Sequence, residues 1–212
     1  MSNLNPLTVN KLLLLFTLAL LTIGCGPSTT TGTEDSSTTT KTYKTVKIGA
    51  QVWMSENLAY KPSTGNYWAY DDDNSNVAKY GYLYDWETAC KVCPSGWHLP
   101  SDEEWTTLID YLGGEDVAGG KIKTVGTIQA GTGLWNNPNT GATNESGFAA
   151  LPGGGRSNFG AFYFIGDSGG WWSATQFSAS DAWARHLGTS NAQVGRDGYT
   201  KKGGCSVRCV RD

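Results

Sequence analysis

The chain has 212 residues with 28 glycines, 9 tryptophans and 10 tyrosines, a formal net charge of −3, and only 17% charged residues. That length allows one ordinary domain with extensions, and the composition excludes a disordered chain, which would carry more charge and fewer aromatics. It also excludes a long-helix protein, which could not tolerate so much glycine, and a nucleic-acid partner, since no basic stripe exists to neutralise phosphates.

Residues 12–23 are apolar apart from Thr17 and Thr22, and they follow Lys11. A dozen residues at about 1.5 Å each fall short of a hydrocarbon core of roughly 30 Å. The run therefore reads as the apolar stretch of a signal peptide over residues 1–24. It ends in Leu21-Thr22-Ile23-Gly24-Cys25, which resembles a bacterial lipobox, with Thr22 where that motif usually has Leu. The resemblance implies a lipid on Cys25. Residues 25–41 then form a lipidated cysteine and a Thr/Ser-rich tether, with nothing to offset the entropy of ordering it. The expected layout is an exported outer-membrane lipoprotein whose domain, residues 42–212, is presented outward.

Within the domain, residues 43–48 and 51–54 alternate around Gly49-Ala50 and predict a hairpin. Residues 83–92 are a short helix candidate. Ser101 and Glu104 make a capping box ahead of Trp105, Leu108, Ile109 and Leu112 at helical spacing, and Gly113-Gly114 stops that helix. Residues 113–155 read as irregular. Residues 159–165, 170–176, 181–187 and 205–211 read as strands separated by turn residues. Two short helices, glycine-rich loops and a late antiparallel sheet define an α+β fold. Trp53, Trp86, Trp97, Trp105, Trp171 and Trp172 are the expected core, and 153–156 is expected to be a tight turn.

With Cys25 assigned to lipid, Cys90, Cys93, Cys205 and Cys209 remain. If 205–211 is a strand, Cys205 and Cys209 stand roughly 13 Å apart, beyond the ~7 Å a disulfide spans. Both must then bond back to the segment of Cys90 and Cys93, in either of two arrangements. Zinc is the rival reading of these pairs, and an oxidising compartment favours disulfides.

Several strings occur together in order: Val46-Lys47-Ile48-Gly49, Glu56-Asn57-Leu58, Leu83-Tyr84-Asp85-Trp86 and the run from Cys93-Pro94-Ser95-Gly96-Trp97-His98 to Glu104-Trp105. Then come Ala150-Leu151-Pro152-Gly153-Gly154, Trp171-Trp172-Ser173-Ala174-Thr175 and Ser206-Val207-Arg208-Cys209-Val210-Arg211-Asp212. They resemble the Fibrobacter succinogenes major paralogous domain family over the whole of 42–212. The resemblance implies a C-type-lectin-like or formylglycine-generating-enzyme-like domain and no defined activity. It matches Cys93 and Cys209 to the family's usual cysteines, which makes Cys90 and Cys205 an added pair expected to bond to each other.

Three chemistries are weighed. Gly166-Asp167-Ser168-Gly169-Gly170 copies the nucleophile string of a serine protease, but neither His98 nor His186 lies in a segment like that family's histidine motif. Cys205 and Cys209 resemble the copper-binding pair of formylglycine-generating enzymes at a spacing one residue too short. Asp71, Asp73 and Asn74 offer hard oxygens to Ca²⁺, the one cofactor admitted, although a solvated acidic turn is commoner. The expectation is a non-catalytic binding module for a glycan or protein ligand. A structural envelope component without a ligand is the alternative, and a copper-dependent oxidase comes third. The ligand is expected on Trp183, Arg185, His186, Asn191, Gln193, Arg196, Asp197 and Tyr199, where aromatic faces and directional donors stand between two anchored segments.

Overall fold

The computed structural model describes Cys25 and residues 42–212. The expected signal peptide, and the tether apart from Cys25, lie outside the described residues. Among the described residues no helix is long and apolar enough to cross a membrane.

β1 (Thr45–Ile48) and β2 (Gln51–Met54) form the predicted hairpin. Gly49 closes it at φ +59°, a left-handed conformation that costs glycine nothing sterically. β3 (Tyr67–Trp68) and the one-turn helix α1 (Val77–Tyr80) follow, and β3 pairs with β4 (Leu83–Tyr84). That pairing draws Leu83 and Tyr84 out of the helix expected over 83–92. What remains is α2 (Trp86–Ala89), capped by the Asp85 carboxylate accepting from the Thr88 N–H. β5 (Trp97–His98) leads into α3 (Asp102–Tyr111), where Ser101 and Glu104 make the predicted reciprocal capping box.

α4 (Glu115–Ile122) is a helix where the sequence reads as irregular. Gly119 and Gly120 weaken a helix by themselves. A Cβ on either would collide with backbone carbonyl groups, of Gln193 and Gly141 respectively, so the helix exists because two loops close on it. Residues 153–156 are likewise not a turn but the strand β6 (Gly153–Arg156), hydrogen-bonded between β7 (Phe162–Ile165) and β8 (Ser168–Gln176). With β9 (Asp181–Gly188) and β10 (Gly195–Thr200) they make a sheet of order β10-β9-β8-β6-β7. It is antiparallel except where β6 meets β8 through Gly154 and Gly169. A second sheet, β1-β2-β11-β5, is completed by β11 (Val210–Arg211). The fold is α+β, with short helices and mostly sheet.

Two apolar cores fill it, one around Trp53, Trp105, Trp135, Phe148 and Trp171, the other around Met54, Leu58, Tyr84, Trp86 and Trp172. A buried indole N–H without an acceptor is costly, and each is satisfied. Trp86 donates to Ser173 O, Trp105 to Trp172 O, Trp171 to Asn57 Oδ1 and Trp172 to Tyr84 O. Trp97 departs from expectation. It is only half-buried, with the Arg211 guanidinium 4.9 Å from its ring.

Cys93 bonds to Cys209 across 116 residues of sequence, as the resemblance implies. The expected Cys90–Cys205 bond is not formed. Cys90 bonds to Cys25, and Cys205 keeps a buried free thiol. The flat strand assumed over 205–211 is the source of the error, since only its last residues, Val210–Arg211, are strand. Residue 205 instead bridges Tyr84, with its sulfur toward Gly170. The Cys25 sulfur in a disulfide has no valence left for a lipid thioether, so this bridge and the expected lipid are alternative fates of one atom.

Candidate functional site

The strings that carry the resemblance converge on a buried polar hub. Arg208 is fully buried, and its guanidinium donates to Asn57 Oδ1 at 2.9 Å, Met54 O at 3.2 Å, Ala149 O at 2.7 Å and Phe148 O. Burial pushes its pKa down to about 9, which leaves it charged at neutral pH. Asn57 completes the hub by donating to Tyr80 O at 2.8 Å. Lys123 is similarly enclosed, its ammonium donating to the carbonyls of Thr140, Gly188 and Asn191. Burial lowers that pKa to about 8. Both cations are interior braces that hold loops by their carbonyls.

Strand alternation divides the expected ligand residues between two faces. Arg185 of β9 and Arg196 opposite it on β10 turn toward α3, and Trp183 shares their face of the sheet. Asp102 there accepts from Arg185 Nη1 at 2.6 Å and from Arg196 Nη2 at 2.7 Å. Burial opposes the Asp102 charge, yet the hydrogen bonds from Arg196 and Arg185 prevail and hold its carboxyl below the usual range. Arg196 also covers the Trp183 ring at 3.5 Å. This trio clasps sheet to helix and leaves little for a ligand. Asn191 and Gln193 are exposed on the β9–β10 loop, where Gln193 Nε2 donates to Asp116 Oδ1.

His186, Asp197 and Tyr199 emerge on the opposite face and share a cleft of about 200 Å³. Gly154, Gly155 and Gly170 bring bare backbone to it, and Tyr163, Phe164, Ser168 and Cys205 also line it. Tyr163 and Tyr199 are joined hydroxyl to hydroxyl, with Tyr199 donating onward to Arg156 O at 2.9 Å. Burial raises the pKa of both phenols and of the Cys205 thiol, so all three stay protonated. Phe164 is 62% exposed at the mouth with φ +62°, a left-handed conformation that costs a bulky residue ~1–2 kcal/mol. Its ring meets that of Tyr163 edge-on, 5.2 Å between centroids, at the cleft mouth. The sequence reading missed Tyr163 and Phe164, and it placed Cys205 in a disulfide rather than in this cleft. The signal for the two aromatics was the run Phe162-Tyr163-Phe164 facing a triple glycine.

Ser168, His186 and Asp197 are the residue types of a hydrolytic triad in one cleft, but they are not arranged as one. His186 Nδ1 stands 3.4 Å from Asp197 Oδ2 with both side chains largely solvent-exposed, and no hydrogen bond joins Ser168 to His186. A triad needs its aspartate buried and its serine bonded to the base. Cys209, bonded to Cys93, forms no dithiol with Cys205. Asp71, Asp73 and Asn74 lie on an exposed turn, where the Asp73 carboxylate accepts from the Ser75 N–H and hydroxyl. Among the described residues no group of three His, Cys, Asp or Glu side chains is placed to hold a metal ion.

His98 ties the chain end to α3, its Nδ1 2.7 Å from Asp212 Oδ1 and its Nε2 2.8 Å from Glu104 Oε1. Burial works against the ring's charge, but hydrogen bonds to Asp212 and Glu104 prevail, and its pKa is raised above 6.5. A raised folded pKa gives stability that is full below the unfolded value of ~6.5 and is lost as pH rises through the folded one. The melting temperature is therefore expected to fall between pH 6 and 8 more in the wild type than in His98→Asn. Parallel profiles would refute the pairing.

The family model of the Fibrobacter succinogenes major domain matches residues 46–211. The chain belongs to this family. No curated protein and no solved structure matches the chain.

Proposed function

We propose that the protein is an exported, membrane-anchored, non-catalytic binding module, its domain of the C-type-lectin-like and formylglycine-generating-enzyme-like kind, which takes a ring-sized group of a surface glycan into the cleft beside β9. The observation that carries this reading is Phe164, an exposed aromatic held in a costly conformation at the mouth of a glycine-floored cleft. Gly170 on that floor leaves room for a ligand close to the backbone. The aromatic rings supply contact area, and His186 and Asp197 supply directional hydrogen bonds. A structural envelope component would need no such mouth. Anchoring rests on the lipobox, and a lipid on Cys25 would leave Cys90 as a thiol.

A glycan array tests this with purified protein. Saturable binding to a subset of glycans is expected, weakened at least ten-fold by Phe164→Ala and by His186→Ala with melting unchanged. No saturable binding, or equal binding by both variants, would sink the reading.

A further inference from the structure

A second cleft, of about 370 Å³, opens beside β6 and is lined by Trp68, Glu87, Arg156, Asn158 and Lys202, among others. Arg156 is its distinctive member. Its backbone is fixed on both sides, by pairing with Phe162 and by reciprocal hydrogen bonds with Gly204. Its guanidinium lies 4.1 Å over the Trp68 ring and 5.5 Å from that of Phe162. A side chain at Gly204 would press on Arg156 and Trp68 at once, so the glycine is what lets the two stack.

Among the described residues this guanidinium has no hydrogen-bond acceptor and no carboxylate partner, and its Nε is buried without one. Native proteins rarely leave a buried donor unpaired. Arg208, Arg185 and Arg196 each donate to acceptors, although Arg185 Nε is likewise buried without one, whereas the half-buried Arg156 has no acceptor for any of its guanidinium nitrogens. The planar fork of arginine matches the paired oxygens of a carboxylate or phosphate. Lys202, exposed and unpaired, adds a second positive charge at the rim. Lys201 is already spent, since its ammonium donates to Gln176 Oε1, Ser178 O and Ala179 O. Asp85 is also engaged, accepting from Asn66 and Thr88.

The remaining free groups, the Glu87 carboxylate and the Asn158 amide, discriminate among anions. Glu87 repels a bare oxyanion and accepts from hydroxyl groups. We infer that the Arg156 cleft binds an acidic sugar, with Arg156 and Lys202 on its carboxylate or phosphate and Glu87 and Asn158 on its ring hydroxyls. This site is separate from the Phe164 cleft and stands or falls without it.

The test titrates purified protein at constant ionic strength with D-glucuronate, glucose 6-phosphate, D-glucose and sodium sulfate, following the Arg156 Nε–H and Trp68 indole N–H resonances. Saturable shifts are expected with glucuronate or glucose 6-phosphate, and whichever binds tighter identifies the oxyanion. Glucose and sulfate are expected to bind at least ten-fold more weakly. Arg156→Lys should weaken the acidic sugar about ten-fold. Lys202→Gln, at an exposed position that leaves the fold intact, should weaken it about three-fold, and Phe164→Ala should leave it unchanged. Absence of shifts with both acidic sugars would overturn the assignment. So would sulfate or glucose binding as tightly as they do, or wild-type affinity in Lys202→Gln and Arg156→Lys together.

Discussion

Replacing Arg208 by methionine is expected to lower the stability of the domain by about 3 kcal/mol or more, a large fraction of the ~5–15 kcal/mol that holds a typical domain together. Its guanidinium satisfies the carbonyls of Met54, Phe148 and Ala149 and the amide oxygen of Asn57, all from a fully buried position. Methionine fills similar volume but leaves the carbonyls of Met54, Phe148 and Ala149 without that donor, each costing about 1–3 kcal/mol when buried and unpaired, while Asn57 Oδ1 keeps the Trp171 indole N–H. Ending the desolvation of a buried cation offsets part of the sum, which is why the expected loss is less than the total. Arg208→Lys keeps the charge as a single point and cannot span acceptors on the two segments 54–57 and 148–149, so it should recover less than half of the loss. Urea denaturation of the three proteins measures both quantities. A loss under about 1 kcal/mol in Arg208→Met would mean that other donors reach those carbonyls.

The elements legible in the sequence are those whose causes are local. The β1–β2 hairpin needs only alternation and a glycine at its turn. α3 needs only Ser101, Glu104 and an apolar face repeating at helical spacing. α4 and β6 were hidden because their glycines argue locally against regular structure. Gly119, Gly120 and Gly155 are present because a distant carbonyl or the Tyr163 ring occupies the space where a Cβ would sit. The candidate site shows the same division. Period-two alternation along Trp183, Ala184, Arg185 and His186 already implied that Arg185 and His186 face opposite ways. Arg185 still lines the cleft, but its guanidinium is drawn away from it by Asp102, separated from it by 83 residues, and no local pattern reveals that partner. The family's recurring words likewise mark the Asn57–Arg208 hub and the buried tryptophans. They explain a shared fold and are silent about the ligand.

Removing the Cys93–Cys209 bond by the double replacement Cys93→Ala/Cys209→Ala should cost about 4–5 kcal/mol, from the loop-closure entropy of a separation of 116 residues. The bond joins the segment before β5 to the segment before β11, at the point where the small sheet is completed by the last residues of the chain. Without it, Val210 and Arg211 pair with β2 and β5 through only a few residues, so the closing strand should be the first element to loosen. Cys205 cannot substitute for Cys209, because its sulfur is packed toward Gly170 in the cleft beside β9. The comparison is cleanest in a Cys90→Ala background, where the bridge to Cys25 is absent from both proteins. There, oxidised wild-type pairing should show a higher urea midpoint than the double variant, and reductant should abolish the difference. Amide exchange should accelerate most at Val210 and its partner Trp53. If reductant leaves the midpoint unchanged, the C-terminal strand is held by the Arg208 hub and the packing of Val207 and Val210 alone, and the disulfide adds nothing to stability.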